Sequence, residues 1–239
     1  MYVAGLLAGL GYLALHLVRQ VLFTAAGVVV ALPVILIAAA LVGVIIAALD
    51  VSRVRVLSAA VLALAWGGIA ATGMAMFING LAGVAINDVL DDPASARWNA
   101  AIAGPVDEET LKAVGVLLIL VLFRAEIRRP LQGFVVGACV GLGFQILENI
   151  TYASTLAIKD AQSDVGGALL VSGVRAVTGF QSHWVYTGIY GVGLTVLLHR
   201  GTRSRGPRPP RRSASASSPT SCTAGGTRRD PTRPASLCY

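Results

Sequence analysis

Long apolar runs, separated by short charged or Gly/Pro-rich stretches, fill the first two hundred positions. They fall at about 2–18, 21–49, 57–79, 106–123, 131–151 and 166–199. A helix needs about 20 apolar residues to cross a hydrocarbon layer about 30 Å thick. The pattern therefore predicts an all-α, polytopic transmembrane helical bundle of about six to seven spans. The run at 21–49 is longer than one crossing needs, an excess that tilt or a kink at Pro33 must absorb. The run at 166–199 is too long for one helix. Gly179 near its middle predicts a helix over 166–178, near the surface or partly inserted, and then a span from about 182.

Composition agrees with a bilayer as solvent. Charged residues make up 13% of the chain, about half the share of a soluble domain, and the mean hydropathy is +0.73. The net charge of +7 resides in residues 201–239, which hold eight Arg and one Asp. Residues 1–200 carry eleven basic and eleven acidic groups and are neutral, so the charge does not indicate a nucleic-acid partner. The tail is rich in Pro, Arg, Ser, Thr and Gly. Such a segment buries too little apolar surface to offset the entropy of ordering, so disorder is expected. The chain thus divides into N-terminal membrane helices (1–100), a core bearing the polar motifs (101–200) and a basic tail (201–239).

Arginines set the orientation. Arg53 and Arg55, then Arg124, Arg128 and Arg129, then the tail fall on one side of the drawn spans, and that side is expected to be the cytoplasm. Asp88, Asp91, Asp92, Asp160 and Asp164 fall on the other, with Arg19 the exception. Cys139, Cys222 and Cys238 form no disulfide or zinc-type pattern. Met1–Leu17 lacks a basic region before its apolar stretch and reads as a first span, not a cleaved signal.

Charges inside a membrane cost on the order of 3 kcal/mol even on lenient scales, and three segments carry them. Asp107, Glu108 and Glu109 open the fourth run, where a helix dipole suits them and Lys112 can pair with Glu108. Glu148 has no such excuse, because it lies toward the C-terminal end of the fifth. It shares a face with Gly133, Gly137, Gly141, Phe144 and Tyr152, and small residues at that spacing let a second helix approach closely. His183 opens the last span on a face with Gly179, Thr187, Gly191 and Thr195. The spans as drawn bring Glu108, Glu109, Glu148 and His183 to one depth near the outer rim. Two routes to hydrolysis are open to such a group. Glu and His can hold zinc, which activates water, or a carboxylate can act as general base with His as its partner. Asn149 can donate to a carbonyl oxygen as it gains charge.

Glu108-Glu109-Thr-Leu-Lys112, then Gly141-Leu-Gly-Phe144-Gln-Ile-Leu-Glu148-Asn149-Ile-Thr-Tyr152, then Arg175 followed by His183 resemble in order and spacing the three motif blocks of the PrsW family. These are bacterial intramembrane proteases, distantly similar to the CAAX prenyl endopeptidases. The resemblance covers about residues 101–199. It implies that Glu108, Glu109, Glu148 and His183 form the active site, with Asn149, Arg175, Lys112 and Phe144 in support. If a metal is used, zinc on Glu109, Glu148 and His183 is the implied set. The implied partners are the lipid bilayer and a membrane-anchored protein such as an anti-sigma factor, cut near the outer face of a bacterial cell membrane. Two rivals stand beside this reading. One is a transporter using intramembrane Glu and His, against which the rim position of the group and Asn149 argue. The other is an inert scaffold of the same fold.

Overall fold

The computed structural model describes residues 1–49, 57–90, 94, 97–98, 101–102, 104–160 and 163–199. The expectations resting on Arg53, Arg55, Asp91, Asp92 and the disordered cytoplasmic tail lie outside the described residues. Among those described, the architecture is all-α, with seven long helices: α1 Tyr2–Phe23, α2 Ala25–Leu49, α3 Leu57–Asn87, α4 Gly104–Leu122, α5 Pro130–Lys159, α6 Asp164–Thr178 and α7 His183–His199. Four of them, α1, α2, α3 and α5, are long and apolar enough to cross a membrane. The first turns of α4 are charged, and α6 and α7 have only 15 and 17 residues.

Local chemistry sets the boundaries. Only Thr24 separates α1 from α2, and its hydroxyl donates to the Gln20 carbonyl at 3.1 Å. This break falls later than the 2–18 run suggests, so Arg19 is helical. The second helix continues through Pro33. Arg129 precedes α5 in extended conformation and Pro130 follows at the first helical position, where its missing N–H costs nothing. Gln132 Oε1 accepts from the Arg128 and Arg129 amides at 2.9 and 3.0 Å. Within α3, Trp66–Ala71 is π-helical, a local widening often found near functional sites. It aims the Trp66 indole N–H at the Leu111 carbonyl of α4, 3.0 Å away.

From α1 to α5, successive helices alternate in direction. Tyr2 donates to the Leu62 carbonyl at 2.6 Å and Tyr12 meets Phe77 edge-on, so α1 and α3 run together. Ala31 and Ile35 of α2 share a buried cluster with Ala153 and Ala157, near the far end of α5. The closest pairing is between α5 and α7, which run antiparallel. A Cβ added at Gly133, Gly137 or Gly141 would collide with Gly191 and Thr195, with Thr187, or with His183, respectively. The two small-residue faces read from the sequence are thus the two sides of one interface. Its function is positional, because close approach at Gly141 delivers His183 to the level of Phe144 and Glu148.

Two helices run further than the apolar pattern indicates: α3 to Asn87 rather than 79, and α5 to Lys159 rather than 151. The extra turns of α5 are held by burial, since Ala153, Ser154 and Ala157 are fully enclosed. Helix α6 descends beside these turns, from Gly167 near Leu156 to Arg175 near Asn149. Its Leu170, Val174 and Val177 are exposed, as befits a lipid-facing surface. The chain then breaks at Gly179, whose carbonyl accepts from Gln145 Nε2 at 3.3 Å, and resumes as α7. Helices α6 and α7 are therefore a broken pair in tandem along α5, and the break lies beside the polar cluster.

Gly27 packs on Ala157, and α2 is apolar from Ala25 onward, so Ala157 already lies in apolar surroundings. Glu148 lies nine residues before it along α5, about 13 Å at 1.5 Å per residue. Helices α5 and α6 thus extend past the cluster on the side the sequence assigns to the exterior.

Packing predicts a contrast between glycines. Gly137→Leu forces side-chain atoms into the Thr187 backbone and is expected to cost about 1–3 kcal/mol or more. Gly43, where an added Cβ meets nothing within 4 Å, should accept Leu. Unfolding of both variants in detergent checks the difference, and equal stability would remove the interface from the account.

Candidate active site

The site is assembled from four helices. On α4, Glu108, Glu109 and Lys112 face inward one turn after Pro105. Lys112 is fully buried. Its Nζ lies 2.6 Å from Glu109 Oε1, 3.8 Å from Glu108 Oε2 and 2.7 Å from His183 Nδ1. It also sits 4.1 Å above the centre of the Phe144 ring, a cation–π contact on its apolar side. The Phe144 ring in turn lies 5.1 Å from that of His183. Trp66 braces this part of α4 from below, through its bond to Leu111.

Glu148 and Asn149 enter from α5, Arg175 from α6 and His183 from the start of α7. Glu148 Oε2 is 3.0 Å from His183 Nε2 and also accepts from Arg175 Nη2. Arg175 Nε donates to Asn149 Oδ1 at 2.6 Å, and its guanidinium stacks 4.1 Å over Tyr152. Arg175 thereby fixes two adjacent side chains of α5 at once, and Asn149 keeps its amide nitrogen as a donor. All eight residues named from the sequence join one network. Three carboxylates face two fixed cations, and the positive end of α7 points the same way.

Glu108, Glu148 and His183 each offer one ligand atom, all within 4.8 Å of one another. The metal set implied by resemblance has Glu109 in place of Glu108. In the structure Glu109 stands one step back, its Oε1 held by Lys112 and 3.9 Å from His183 Nδ1. The sequence cannot separate these two neighbours, because both lie in the first turns of α4 and only the rotation of the helix decides which points at Glu148. The donors fit a divalent ion: two carboxylates and an imidazole are zinc ligands, and three protein ligands leave a position for water. Glu109 is placed where a carboxylate commonly orients a metal-bound histidine.

A groove of about 660 Å³ opens at the cluster between α4 and α7, with Glu108, Glu109 and His183 at one end. Sequence reasoning missed the braces Trp66, Gln145 and the Gly67–Gly68 pair, which packs on α5 at Val140 and Gly143. The Trp-Gly-Gly string in an apolar run was the one available signal.

No curated protein and no solved structure matches the chain. Residues 55–214 do match the PrsW family intramembrane metalloprotease. The match begins before the expected 101–199 and takes in α3, whose Trp66 and Gly67 support the site. It also passes His199 into the start of the tail. With more than half of its length matched, and with the blocks containing Glu108, Glu148 and His183 folded into one cluster, the chain belongs to the PrsW family of intramembrane metalloproteases and is a peptidase.

Proposed function

We propose that this protein hydrolyses a peptide bond of a membrane-anchored protein, of the anti-sigma-factor kind, in a bacterial cell membrane. In this reading Glu108, Glu109, Glu148 and His183 form the catalytic group, and the tail lies in the cytoplasm. The observation that carries it is the convergence of Glu108, Glu148 and His183 from three helices, in a chain of a metallopeptidase family. A zinc ion would be held by these three residues. Bound there, zinc would supply a water acidic enough to give hydroxide near neutral pH. Glu109 orients the His183 ring, and Lys112 balances the carboxylates of α4. Arg175 fixes Glu148, and Asn149 donates to the carbonyl oxygen of the scissile bond as it gains charge. The metal-free route left open by the sequence is the less favoured one, because a metallopeptidase family and a three-donor cluster both support an ion.

Family membership sets the transporter reading aside. Metal removal is the test. Purified protein is expected to retain one zinc per chain, to lose it in Glu108→Ala and His183→Ala, and to lose cleavage of a membrane-anchored substrate on chelation. Cleavage that persists after the metal has been stripped would transfer the chemistry to the carboxylates alone.

A further inference from the structure

We propose that Trp66 is a positioning residue for the hydrolytic site: seated on Gly115, it fixes the rotation of α4 and so selects Glu108, not Glu109, as the carboxylate that faces Glu148 and His183. The consequence for zinc rests on the peptidase reading above; the rotation itself does not. Trp66 is buried and lies in none of the segments that carry the polar motifs. It opens the π-helical turn Trp66–Ala71 of α3, and that one turn meets three helices. Its indole N–H donates to the Leu111 carbonyl of α4 at 3.0 Å, and a Cβ added at Gly115 would strike the same ring. On the other side the ring is closed in by Gly5 of α1 and by Tyr2, whose ring centre is 5.4 Å away. The next two residues, Gly67 and Gly68, pack on the α5 backbone at Val140 and Gly143. The Thr72 hydroxyl secures the widened turn by donating to the Gly67 carbonyl, five residues back, at 2.9 Å. A single turn thereby registers α4 against the helix that carries Glu148.

Helical geometry makes this contact selective. Glu108, Leu111 and Gly115 stand at i, i+3 and i+7 and share one stripe of α4. Glu109, Lys112 and Val116 form the neighbouring stripe, about 100° around the axis. Turning α4 by that step would bring Glu109 to the place of Glu108. It would also bring Val116 to the place of Gly115, where the indole leaves no room even for a Cβ. After Gly104, Gly115 is the only glycine of the helix, so the ring accepts α4 in one rotation. The hydrogen bond to Leu111 adds direction, since the carbonyl leaves the reach of the indole when the stripe moves. Lys112 cannot make the same choice, because its ammonium contacts both Glu108 and Glu109.

The test removes the contact and reads the rotation twice, first without metal. With the native cysteines replaced by alanine, Glu148→Cys is paired with Glu108→Cys or with Glu109→Cys, and disulfide closure is timed in detergent. With Trp66 in place the 108 pair is expected to close about tenfold faster than the 109 pair, because closure depends steeply on orientation. Trp66→Phe should remove most of that preference. The second reading is zinc affinity, by competition with a chelator, in protein with its carboxylates intact. Trp66→Phe should weaken it about tenfold to a hundredfold, the loss usual when a group that orients a metal ligand is removed. It should also bring the effects of Glu108→Gln and Glu109→Gln together, whereas in the parent Glu108→Gln is the more damaging to zinc binding. 3-Benzothienylalanine at position 66 keeps the shape of the ring and exchanges its N–H for sulfur, and it carries the test if Trp66→Phe does not fold. A lower unfolding midpoint with the disulfide preference and zinc affinity of the parent would make Trp66 a packing residue and overturn the proposal. If the parent binds no zinc but the disulfide preference collapses without the indole, the positioning stands and the zinc reading falls.

Discussion

Replacing Glu148 by glutamine is expected to lower hydrolysis by about a hundredfold to ten-thousandfold, with the protein still inserted and folded. Glutamine keeps the size of the side chain but can be neither a base nor an anionic ligand. The substitution also touches structure, because Glu148 neutralises Arg175 and accepts from His183. A second variant separates the two roles. If Glu148 serves only to balance Arg175, then Glu148→Gln with Arg175→Gln removes both charges together and should restore activity. If Glu148 serves the reaction, the double variant stays inactive. His183→Ala should be about as damaging alone, and the combination of Glu148→Gln and His183→Ala little worse than either. Groups acting on one water are strongly non-additive. Independent, multiplying losses would mean that the two residues do not share a task.

The largest effect on stability is expected at Lys112. Its side chain has no exposed surface, and it holds Glu109 and Glu108 at 2.6 and 3.8 Å. Methionine matches its length and apolar stem but strips the carboxylates of their counter-charge. Breaking a buried pair from one side costs about 3–5 kcal/mol. The exposure is the greater because Glu109 Oε2 already has no hydrogen-bond partner among the described residues. Removing both charges with Lys112→Met and Glu109→Gln should recover most of the loss, since neither is then left unpaired. Unfolding midpoints in detergent for the two single variants and the double one measure the coupling. A Lys112→Met protein as stable as the parent would show that Glu108 and Glu109 do not depend on the ammonium.

The sequence made some parts of this molecule legible and hid others, for physical reasons. Apolar runs located all the long helices, because a bilayer demands a simple signal. Glu148 stood out because it sits where no helix dipole stabilises a carboxylate, His183 because the drawn spans bring it level with Glu108, Glu109 and Glu148, and both because each shares a face with small residues. Gly133, Gly137 and Gly141 even identified the interface that brings the two together. The ends of α3 and α5 were misread, because apolar runs mark where a helix is greasy and not where it ends. Ala153, Ser154 and Ala157 continue α5 on buried contacts with α2 and α6 that no local pattern announces. The choice between Glu108 and Glu109 as the residue facing Glu148 depends on the rotation of α4, which Trp66 helps to fix from 45 residues away.

The central claim is that this cluster cuts a membrane-anchored protein, and the termini of membrane proteins test it most directly. Cells of the host carrying the parent chain are compared with cells carrying Glu148→Gln at equal abundance, and every protein N- and C-terminus in the membrane fraction is identified. The account predicts at least one single-span protein with a new terminus in the first cells and none in the second. Identical termini in both, with both proteins folded and zinc bound in the parent, would contradict it.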